Sequence, residues 1–272
     1  MEQHNSRPLN KINSVEKALM VLMAFCEKQP FWGVRELSTY LNFSPSTIQR
    51  ILQTLKAYGF IRQHPETRKY SLGTIYFSFL SSLQDTYTIT RLAMPYMKRL
   101  LTRTQETVHL NVIDTDGLSR ICISSLESTQ GLKAGQATGT KAPLYAGATS
   151  KCLLAFSSQK FIDRYLERVN LSPLTKNTIT NVEELLSELA LTRERGYASS
   201  LAETTPGLGA LSVPLFSFNG GKPLLAGISL AMPEMRFNNY EHRKLCIDEL
   251  LLVATEFSKI TGQYVVPGNL QD

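Results

Sequence analysis

The feature that most constrains the fold is a pair of helical patterns joined by a short turn, in the stretch GVRELSTYLNFSPSTIQRILQTLKAYGFI (residues 33–61). Apolar residues recur every three or four positions on both sides of residues 42–44, as they do in amphipathic helices. Ser44 is a good N-cap and Pro45 a good first helical residue, because the first turn of a helix does not use the proline N–H. Gly59 ends the second helix, since glycine adopts a positive φ without strain. The stretch therefore predicts a helix-turn-helix unit.

The segments on either side complete a winged form of this unit. Upstream, a helix capped by Ser14 is expected to end at residues 28–30, where Lys-Gln-Pro stands. Downstream, the short alternating segments FIRQ and KYSLG flank the turn-rich HPETR, which predicts a β-hairpin packed on the helices as a wing. A basic-tipped hairpin after three helices is the winged helix-turn-helix arrangement. The upstream helix is expected to bury Val15, Ala18, Leu19, Leu22 and Phe25.

The helix between Ser44 and Gly59 has a polar face opposite its apolar one, and this face suits the major groove of DNA. Arg50 can donate a bidentate pair to guanine, and Gln49 or Gln53 can recognise adenine. Small hydroxyl groups nearby can reach phosphate or base. The alternative is an ordinary amphipathic helix whose polar face meets water. The predicted DNA-contacting residues, including two at the wing, are Arg35, Ser44, Ser46, Thr47, Gln49, Arg50, Gln53, Arg68 and Lys69.

Charge is distributed unevenly along the chain. Residues 1–72 contain ten Lys or Arg against five Asp or Glu, a net charge of +5, which leaves +1 of the total +6 for the other 200 residues. A basic first segment favours a polyanionic partner for that segment, and double-stranded DNA fits. Solvated lysines would give the same charge, so the charge supports the helix pattern without replacing it.

Length and composition exclude several classes of protein. With 272 residues and 43% hydrophobic content, two globular domains are expected. No apolar run is long enough to span a membrane and no leader pattern precedes the first helix, so we expect a cytoplasmic protein without a membrane partner. The four cysteines are dispersed without CxxC spacing. They predict buried free thiols, and we expect no metal site and no cofactor. They are Cys26, Cys122, Cys152 and Cys246.

A long helical pattern follows the wing, in TIYFSFLSSLQDTYTITRLAMPYMKRLLTRT (residues 74–104), with an interruption expected at residues 85–88. Its first part is too aromatic to be stable alone in water. Packing against a second copy would cover it, and a dimer also suits an operator of two half-sites. The aromatic and apolar residues in question are Tyr76, Phe77, Phe79 and Leu80.

The remaining sequence alternates in the manner of strands. TVHLNVIDTDGLSRICISSLE predicts a hairpin turning at Asp116-Gly117, and strands are expected in GYASSLAE, LGALSVPLF and KPLLAGISLAM. Helices are expected at about 149–157, 159–168, 181–195 and 239–261. Runs of strands with helices between and after them indicate an α+β domain on a largely antiparallel sheet.

Four blocks of sequence occur in an order that resembles one known family. They are STIQRILQTL with GFI and YSLG; GTKAPLYAGATSKCLLA; RERGYASSLAETTPGLGALSVPLF; and AGISLAMP. From about Ile12 to Gly262 the chain resembles the isocitrate-lyase-regulator (IclR) family of bacterial transcription factors. The resemblance implies a winged helix-turn-helix domain (1–73), a linker helix (74–90), a GAF-like α+β effector-binding domain (91–265) and a tail (266–272). It also implies a homodimer or dimer of dimers that represses or activates transcription under control of a small organic or aromatic acid.

The segment PLYAGATSKCLLAF predicts where a ligand would bind. Ala146, Gly147 and Ala148 leave space beside the sheet, and a helix begins at Thr149 or Ser150. The free N–H groups at a helix start attract anions, so a carboxylate is a reasonable ligand. A tight packing corner of a buried helix is the alternative. The family resemblance extends the predicted pocket to Ala134, Ala148, Ser200, Ala210 and Ser229.

Several positions depart from the family pattern or stay open. Relatives commonly have Gly-Lys where Ser150-Lys151 stands, and some have an acid and a thiol near Ser200 and Ala210. The pocket is therefore expected to be less polar on that side. Glu203 corresponds to a family acid that either anchors the next loop or faces the ligand, whereas His109 is expected to be a satisfied core histidine.

Two other functions compete with a ligand-controlled regulator. Cys122, His109 and Glu203 could serve an enzyme as nucleophile, base and orienting group. The sequence has no nucleophile elbow, phosphate loop or HExxH motif, so we expect no catalytic residues and no enzyme. A DNA-binding protein without a ligand would leave roughly 180 residues of nearly neutral α+β domain unexplained.

Overall fold

The computed structural model describes residues 12–79, 88–132, 134–135, 137–216 and 224–260. The chain divides into two compact units, residues 1–86 and 87–272. The predicted interruption at 85–88 lies outside these residues apart from Thr88, as do Leu80, most of the second half of the predicted linker helix, and the tail. Residues 75–79 are helical.

The N-terminal unit contains three helices and a two-stranded antiparallel wing. The helices are α1 (Asn13–Glu27), α2 (Val34–Leu41) and α3 (Pro45–Ala57), and the strands are β1 (Ile61–Gln63) and β2 (Tyr70–Leu72). Asn42 has a left-handed φ of 54° at the turn between α2 and α3. The predicted helix-turn-helix and hairpin are therefore confirmed. The core of this unit consists of Val21, Ala24, Phe25, Trp32, Leu37, Ile48, Leu52, Leu55, Ile61 and Tyr70.

Predictions for the first helix were partly wrong. Its N-cap is Ile12 rather than Ser14, and no side chain caps it. Val15 and Leu19 were expected to be buried but are 51% and 56% exposed. The buried residues of α1 lie in its second half, because the rest of the unit covers that half.

Close backbone approach fixes the base of the wing. Trp32 exchanges backbone hydrogen bonds with Tyr70, and its indole N–H donates to the Ala24 carbonyl over 3.1 Å. A Cβ on Gly73 would lie 2.0 Å from the Gly59 carbonyl oxygen, so only glycine fits there. Gly59 itself has a φ of +77°, as its predicted role at the helix end requires. The wing is therefore attached at both ends to the helical core.

The C-terminal unit is an antiparallel six-stranded sheet in the order β5-β4-β3-β8-β7-β6, covered by helices on both faces. The expected α+β class is confirmed. Its strands are β3 (Thr107–Ile113), β4 (Ser119–Leu126), β5 (Lys141–Pro143), β6 (Ala198–Leu201), β7 (Leu208–Phe216) and β8 (Leu224–Pro233). Its helices are α4 (Thr88–Thr104), α5 (Ala148–Ala155), α6 (Gln159–Arg168), α7 (Val182–Arg195), α8 (Glu234–Phe237) and α9 (Tyr240–Ile260). Strand β5 and helix α8 were not predicted.

One face of this sheet is built from large apolar side chains, which we call the large-residue face. They alternate along β3, β7 and β8 and pack against α4, α8 and α9 in one cluster. Burial of each large side chain of this kind contributes ~1.5–3 kcal/mol of transfer free energy. The members on the strands are Val108, Leu110, Leu211, Val213, Leu215, Ala226, Ile228, Leu230 and Met232.

The alternate residues form the opposite face, which we call the small-residue face. On the central strands they are His109, Asn111, Ala210, Ser212, Gly227, Ser229 and Ala231. Helix α5 packs here, and all eight of its residues are buried. A Cβ on Gly227 would come within 3.0 Å of the Thr149 methyl group, so the glycine allows α5 to lie close to the sheet. The small-residue face therefore leaves open space, whereas the large-residue face is filled by its own side chains.

Candidate nucleic-acid interface and ligand pocket

Helix α3 is buried on one side and exposed on the other, as its sequence predicts. Ile48 and Leu52 are fully buried, whereas Arg50 and Gln53 are exposed. Gln49 and Thr47 are half-buried at the boundary between the two sides. The exposed side has the shape and residue types that a major-groove helix needs. The contacts of these residues with bases stay a prediction.

The hydroxyl groups at the start of α3 are engaged with one another. Ser44 Oγ accepts a hydrogen bond from the Thr47 N–H over 3.2 Å, which confirms Ser44 as the N-cap. It also lies 3.0 Å from Ser46 Oγ and 2.8 Å from Thr47 Oγ1. Ser44 thus stabilises the helix start that presents Arg50.

One wing lysine is tied to α2. Lys69 Nζ donates to Glu36 Oε1 over 2.8 Å, and the same carboxylate accepts the Gly33 N–H at the start of α2. The hydrogen bond from Lys69 lowers the pKa of Glu36 most, and that from Gly33 adds to it. Arg68 is exposed at the wing tip with a left-handed φ of 58°, and Arg35 is exposed on α2. Both arginines are thus accessible to a polyanion.

A cavity of about 170 Å³ lies between the small-residue face, the start of α5 and the β6–β7 loop. Seven of the predicted residues line it: Ala134, Gly147, Ala148, Thr149, Ser200, Ala210 and Ser229. Ala146 and Ser150 were predicted but do not line it, because Ala146 packs in the cluster under α5 to α7 and Ser150 is fully buried. The lining residues not predicted for the pocket are His109, Arg120, Gly135, Thr204, Thr205, Leu208, Gly209 and Ala231.

The first N–H groups of α5 are not all free, which corrects the expectation of an open helix start. Gly147 N–H donates to Glu203 Oε2 and Ala148 N–H to Ser200 Oγ, both over 2.9 Å. The Thr149 and Ser150 N–H groups have no acceptor within the described part of the chain. Two N–H groups rather than four are therefore without a protein acceptor, and of these two residues Thr149 lines the cavity.

A buried ion pair holds the β6–β7 loop against α5. Lys151 Nζ is 2.6 Å from Glu203 Oε1 and 3.3 Å from Glu188 Oε1, and its side chain is 2% exposed. Thr178 Oγ1 donates to the Glu203 carbonyl over 2.7 Å. Glu203 Oε1 thus binds Lys151, and Oε2 accepts the Gly147 N–H. Of the two roles considered for it, the structure favours the anchor.

The guanidinium of Arg120 lies at the inner wall of the cavity and is 5% exposed. Its Nε donates to Ser150 Oγ over 3.0 Å and its Nη1 to Asn111 Oδ1 over 2.6 Å. Burial lowers the pKa of Arg120 to about 10, so the side chain remains charged at neutral pH. Burial first, and the charge of Arg120 second, lower the pKa of His109 to about 4. At neutral pH the cavity therefore has a charged guanidinium beside a neutral imidazole.

The enzyme alternative gains no support from these contacts. Cys122 Sγ donates to the Ser124 carbonyl, and burial raises its pKa, the reverse of what a nucleophile needs. Glu203 is engaged by Lys151, as described above. Cys122, Cys152 and Cys246 are buried free thiols as predicted, whereas Cys26 is exposed.

The described residues contain no group of three or more His, Cys, Asp or Glu that could hold a metal ion. In the same part of the chain, no helix is both long and apolar enough to cross a membrane.

Comparison with known proteins assigns the family. Residues 14–65 match the IclR helix-turn-helix domain, and residues 82–259 match the bacterial transcriptional regulator IclR C-terminal domain. This chain belongs to the IclR family. It is 34% identical over 229 residues to the HTH-type transcriptional regulator KdgR of Escherichia coli K12, which covers 84% of this chain and 85% of that protein. IclR-family proteins with these two domains are DNA-binding transcriptional regulators.

Solved structures of IclR proteins have the same fold. The crystal structure of Thermotoga maritima IclR is 30% identical with a TM-score of 0.75, covering 93% of this chain and all of that one. An IclR homolog from Microbacterium hydrocarbonoxydans, crystallised with 4-hydroxybenzoate, is 18% identical with a TM-score of 0.74, covering 90% of this chain and 99% of that one. The second likeness concerns the fold alone.

Five of the eight pocket residues that the IclR resemblance did not supply lie on paired strands. His109 lies opposite Ser229, because β3 and β8 are neighbours in the sheet. Arg120 lies opposite Ala142 on β5, a strand of three residues with no pattern of its own. The alternation in VHLNV shows that His109 and Asn111 share a face. The sequence therefore shows which residues share this face, but not which helix or cavity the face lies against.

Proposed function

We propose that this chain binds a specific operator of two half-sites and that a small carboxylate bound in the cavity modulates this binding. DNA binding is assigned to residues 1–73, with a linker helix at 74–90, effector binding at 91–265 and a tail at 266–272. The observation that supports the DNA assignment best is the exposed face of α3, where Arg50 and Gln53 stand opposite a fully buried apolar face. The protein acts in the cytoplasm, by binding and without catalytic turnover.

The effector half of the proposal is supported by the cavity. It measures about 170 Å³, below the ~300–1,000 Å³ typical of pockets for drug-sized ligands. The unsatisfied N–H group of Thr149, which lines the cavity at the start of α5, favours an anion there. The complex of an IclR homolog with 4-hydroxybenzoate shows that one relative holds a small organic acid.

Homodimer formation, or a dimer of dimers, is part of the same proposal. Phe77 and Phe79 are 74% and 47% exposed, and α1 exposes a further apolar surface at Val15 and Leu19. A second copy would remove this surface from water. Light scattering at micromolar concentration should give at least twice the mass of one chain. A monomer would contradict the dimer and, with it, recognition of two half-sites.

The function can be tested without knowing the operator. The full chain is used to select duplexes from a random pool, and the affinity for the selected duplex is compared with that for scrambled DNA, with and without a panel of small acids. We expect preference for the selected duplex and a shift in its affinity with at least one acid. Equal affinity for both duplexes would contradict operator recognition. Chemical conversion of an acid by the protein would favour the enzyme.

A further inference from the structure

The outer face of the wing has a cluster of polar side chains that the predicted DNA contacts do not include. The hairpin buries Ile61 and Tyr70 against the helices. Arg62 pairs with Ser71 across the hairpin, so these two residues lie on the opposite face. The His64 ring reaches the same face, because its Nε2 lies 2.9 Å from Ser71 Oγ. The cluster therefore lies on the side of the wing away from the helical core.

One hydroxyl group orients both basic side chains of this cluster. Ser71 is buried, and its Oγ accepts from Arg62 Nε over 3.2 Å as well as lying against His64. The Phe31 ring lies edge-on to the imidazole, with 5.3 Å between the ring centroids. Arg62 is exposed, and its Nη groups have no acceptor within the described part of the chain. The guanidinium is thus held in place with its outer N–H groups available.

The cluster accommodates both protonation states of His64. A hydroxyl group has one proton and two lone pairs. When the imidazole is neutral, Ser71 donates its proton to His64 Nε2 and accepts from Arg62. When the imidazole is protonated, Nε2 donates to Ser71 Oγ, and the hydroxyl proton turns to the Leu72 carbonyl, 3.4 Å away. His64 can therefore gain a proton without movement of the hairpin.

Nearby charges determine when His64 gains this proton. The charged groups around it are Arg62 on the same strand, Lys69 opposite it, which is paired with Glu36, and Glu66 and Arg68 in the turn. A second cation beside Arg62 is unfavourable in the free protein, because like charges repel. A phosphate group next to both side chains favours the protonated imidazole and accepts from the guanidinium. Proton uptake and phosphate binding therefore support each other.

We propose that Arg62, Ser71 and His64 form a site for a backbone phosphate of DNA, and that His64 takes up a proton when the phosphate binds. This inference rests on the proposed function and adds to operator binding a contact that depends on pH. The phosphate lies between the Nη groups of Arg62 and the imidazole, and Ser71 positions both. Operator affinity therefore rises as the pH falls from about 7.5 to about 6, within the range where histidine ordinarily changes its charge.

The first test is the pH dependence of DNA binding. Fluorescence anisotropy gives the affinity of the full chain for the selected duplex and for scrambled DNA, at constant ionic strength. Between about pH 7.5 and about pH 6, we expect the wild-type affinity to rise at least about threefold more than that of His64→Gln. Both duplexes should respond alike, because a phosphate contact carries no sequence information. Equal pH dependence in the wild-type chain and His64→Gln overturns the proposal.

Two further variants separate the charge of His64 from its place in the structure. His64→Lys keeps a cation there throughout this pH range. At about pH 7.5 it should bind at least about threefold more tightly than His64→Gln, with the same small gain at lower pH. His242→Gln is the matched control, because His242 lies in the C-terminal unit beside Glu106. It should keep the wild-type pH dependence. The wild-type pH dependence in His64→Lys, or its loss in His242→Gln, contradicts the assignment to His64.

Arg62→Gln tests the guanidinium through the salt dependence of binding. Each lost phosphate contact lowers the slope of log affinity against log salt by about 0.9. We expect that decrease for each chain bound, and affinity at least about threefold lower for the selected and scrambled duplexes alike. Arg164→Gln makes the same change at an exposed position of α6 and should keep the wild-type slope. A wild-type slope in Arg62→Gln overturns the proposal.

Trp32 fluorescence shows whether the variants retain the wing, because Trp32 exchanges backbone hydrogen bonds with Tyr70 on β2. We expect wild-type spectra and melting temperatures, since Arg62 and His64 lie on the outer face. Binding by the wild-type chain also separates this inference from the function on which it rests. If the wild-type chain prefers the selected duplex but the Arg62 and His64 variants bind as it does, the inference fails and the function stands. If the wild-type chain binds neither duplex, both fail.

Discussion

The two faces of the six-stranded sheet differ sharply, although the same strands supply both. On β8, Ile228, Leu230 and Met232 are fully buried in the large-residue face, while Gly227 and Ser229 point to the other side. The first face is filled by α4 and α9, and the second leaves a cavity of about 170 Å³ under α5. Strict alternation along a strand allows one segment to stabilise the fold on one side and hold space for a ligand on the other.

The two faces are also held to their helices differently. The buried residues of the large-residue face form one apolar cluster with α4, α8 and α9, whereas the rim of the cavity depends on the buried pair of Lys151 and Glu203. A buried pair fixes geometry more than it adds stability. Polar contacts therefore fix the geometry beside the small-residue face, which has few large side chains to pack.

The difference in packing between the two faces is tested most directly by truncating one residue on each face. Leu230→Ala should cost about 2–5 kcal/mol of unfolding free energy, because it leaves a cavity in a filled core. Its neighbour Ser229 faces the ligand cavity, so Ser229→Ala should cost less than about 1 kcal/mol. Urea unfolding followed by circular dichroism measures both. Fluorescence of Trp32, the one tryptophan, reports separately on the N-terminal unit. Equal losses would show that both faces are packed alike.

Helix α3 also has two unlike sides, because Leu52 is buried and Arg50 is exposed. Arg50→Ala should leave stability nearly unchanged and reduce discrimination between operator and scrambled DNA by about 1–3 kcal/mol. Fluorescence anisotropy with both duplexes measures this. The control is Lys56→Ala at the last turn of α3, also exposed. An equal loss on both duplexes for Arg50→Ala would show that Arg50 contacts phosphate only.

A third test concerns pH. The pKa of His109 is lowered to about 4 from an ordinary 6.5 by burial and by Arg120. The unfolded chain protonates His109 at a higher pH than the folded chain does. The free energy of unfolding therefore falls as the pH drops from about 6.5 towards 4. Between pH 7 and pH 5 the loss from His109 should be about 2 kcal/mol. His109→Gln should remove this part of the pH dependence in urea unfolding. The same slope in wild-type and variant chains would refute the assignment.

Local signals were sufficient for much of the fold. Helix α6 begins and ends as predicted, because Ser158 caps it by accepting the Phe161 N–H. The hairpin between β3 and β4 turns at Gly117, whose φ is +67° as the Asp-Gly pair requires. In contrast, β5 has only three residues and is defined as a strand by its pairing with β4, so no local pattern could predict it.

The site was predicted less completely for the same reason. The start of α5 was expected to offer free N–H groups, but Glu203 and Ser200 occupy two of them from more than fifty residues away in sequence. Arg120 reaches the cavity through hydrogen bonds to Ser150 and Asn111 that only the folded sheet creates. Sequence alternation shows which residues share a face, while strand order decides which face becomes a pocket.

The most direct test fills the space on the small-residue face and measures the effector response. Ala210 is suited to this because it is half-buried at the cavity wall, whereas Ala148 is almost fully buried in the cluster with Cys152 and Ala198. Ala190→Leu, at an exposed position of α7, adds the same atoms elsewhere. Operator affinity is measured for both variants with and without the acid that most stabilises the wild-type chain. We predict that Ala210→Leu weakens the acid response at least about tenfold, or about 1.4 kcal/mol, and leaves operator affinity without acid within a few-fold. A wild-type acid response in Ala210→Leu would contradict the account, because the effector would then act from another site.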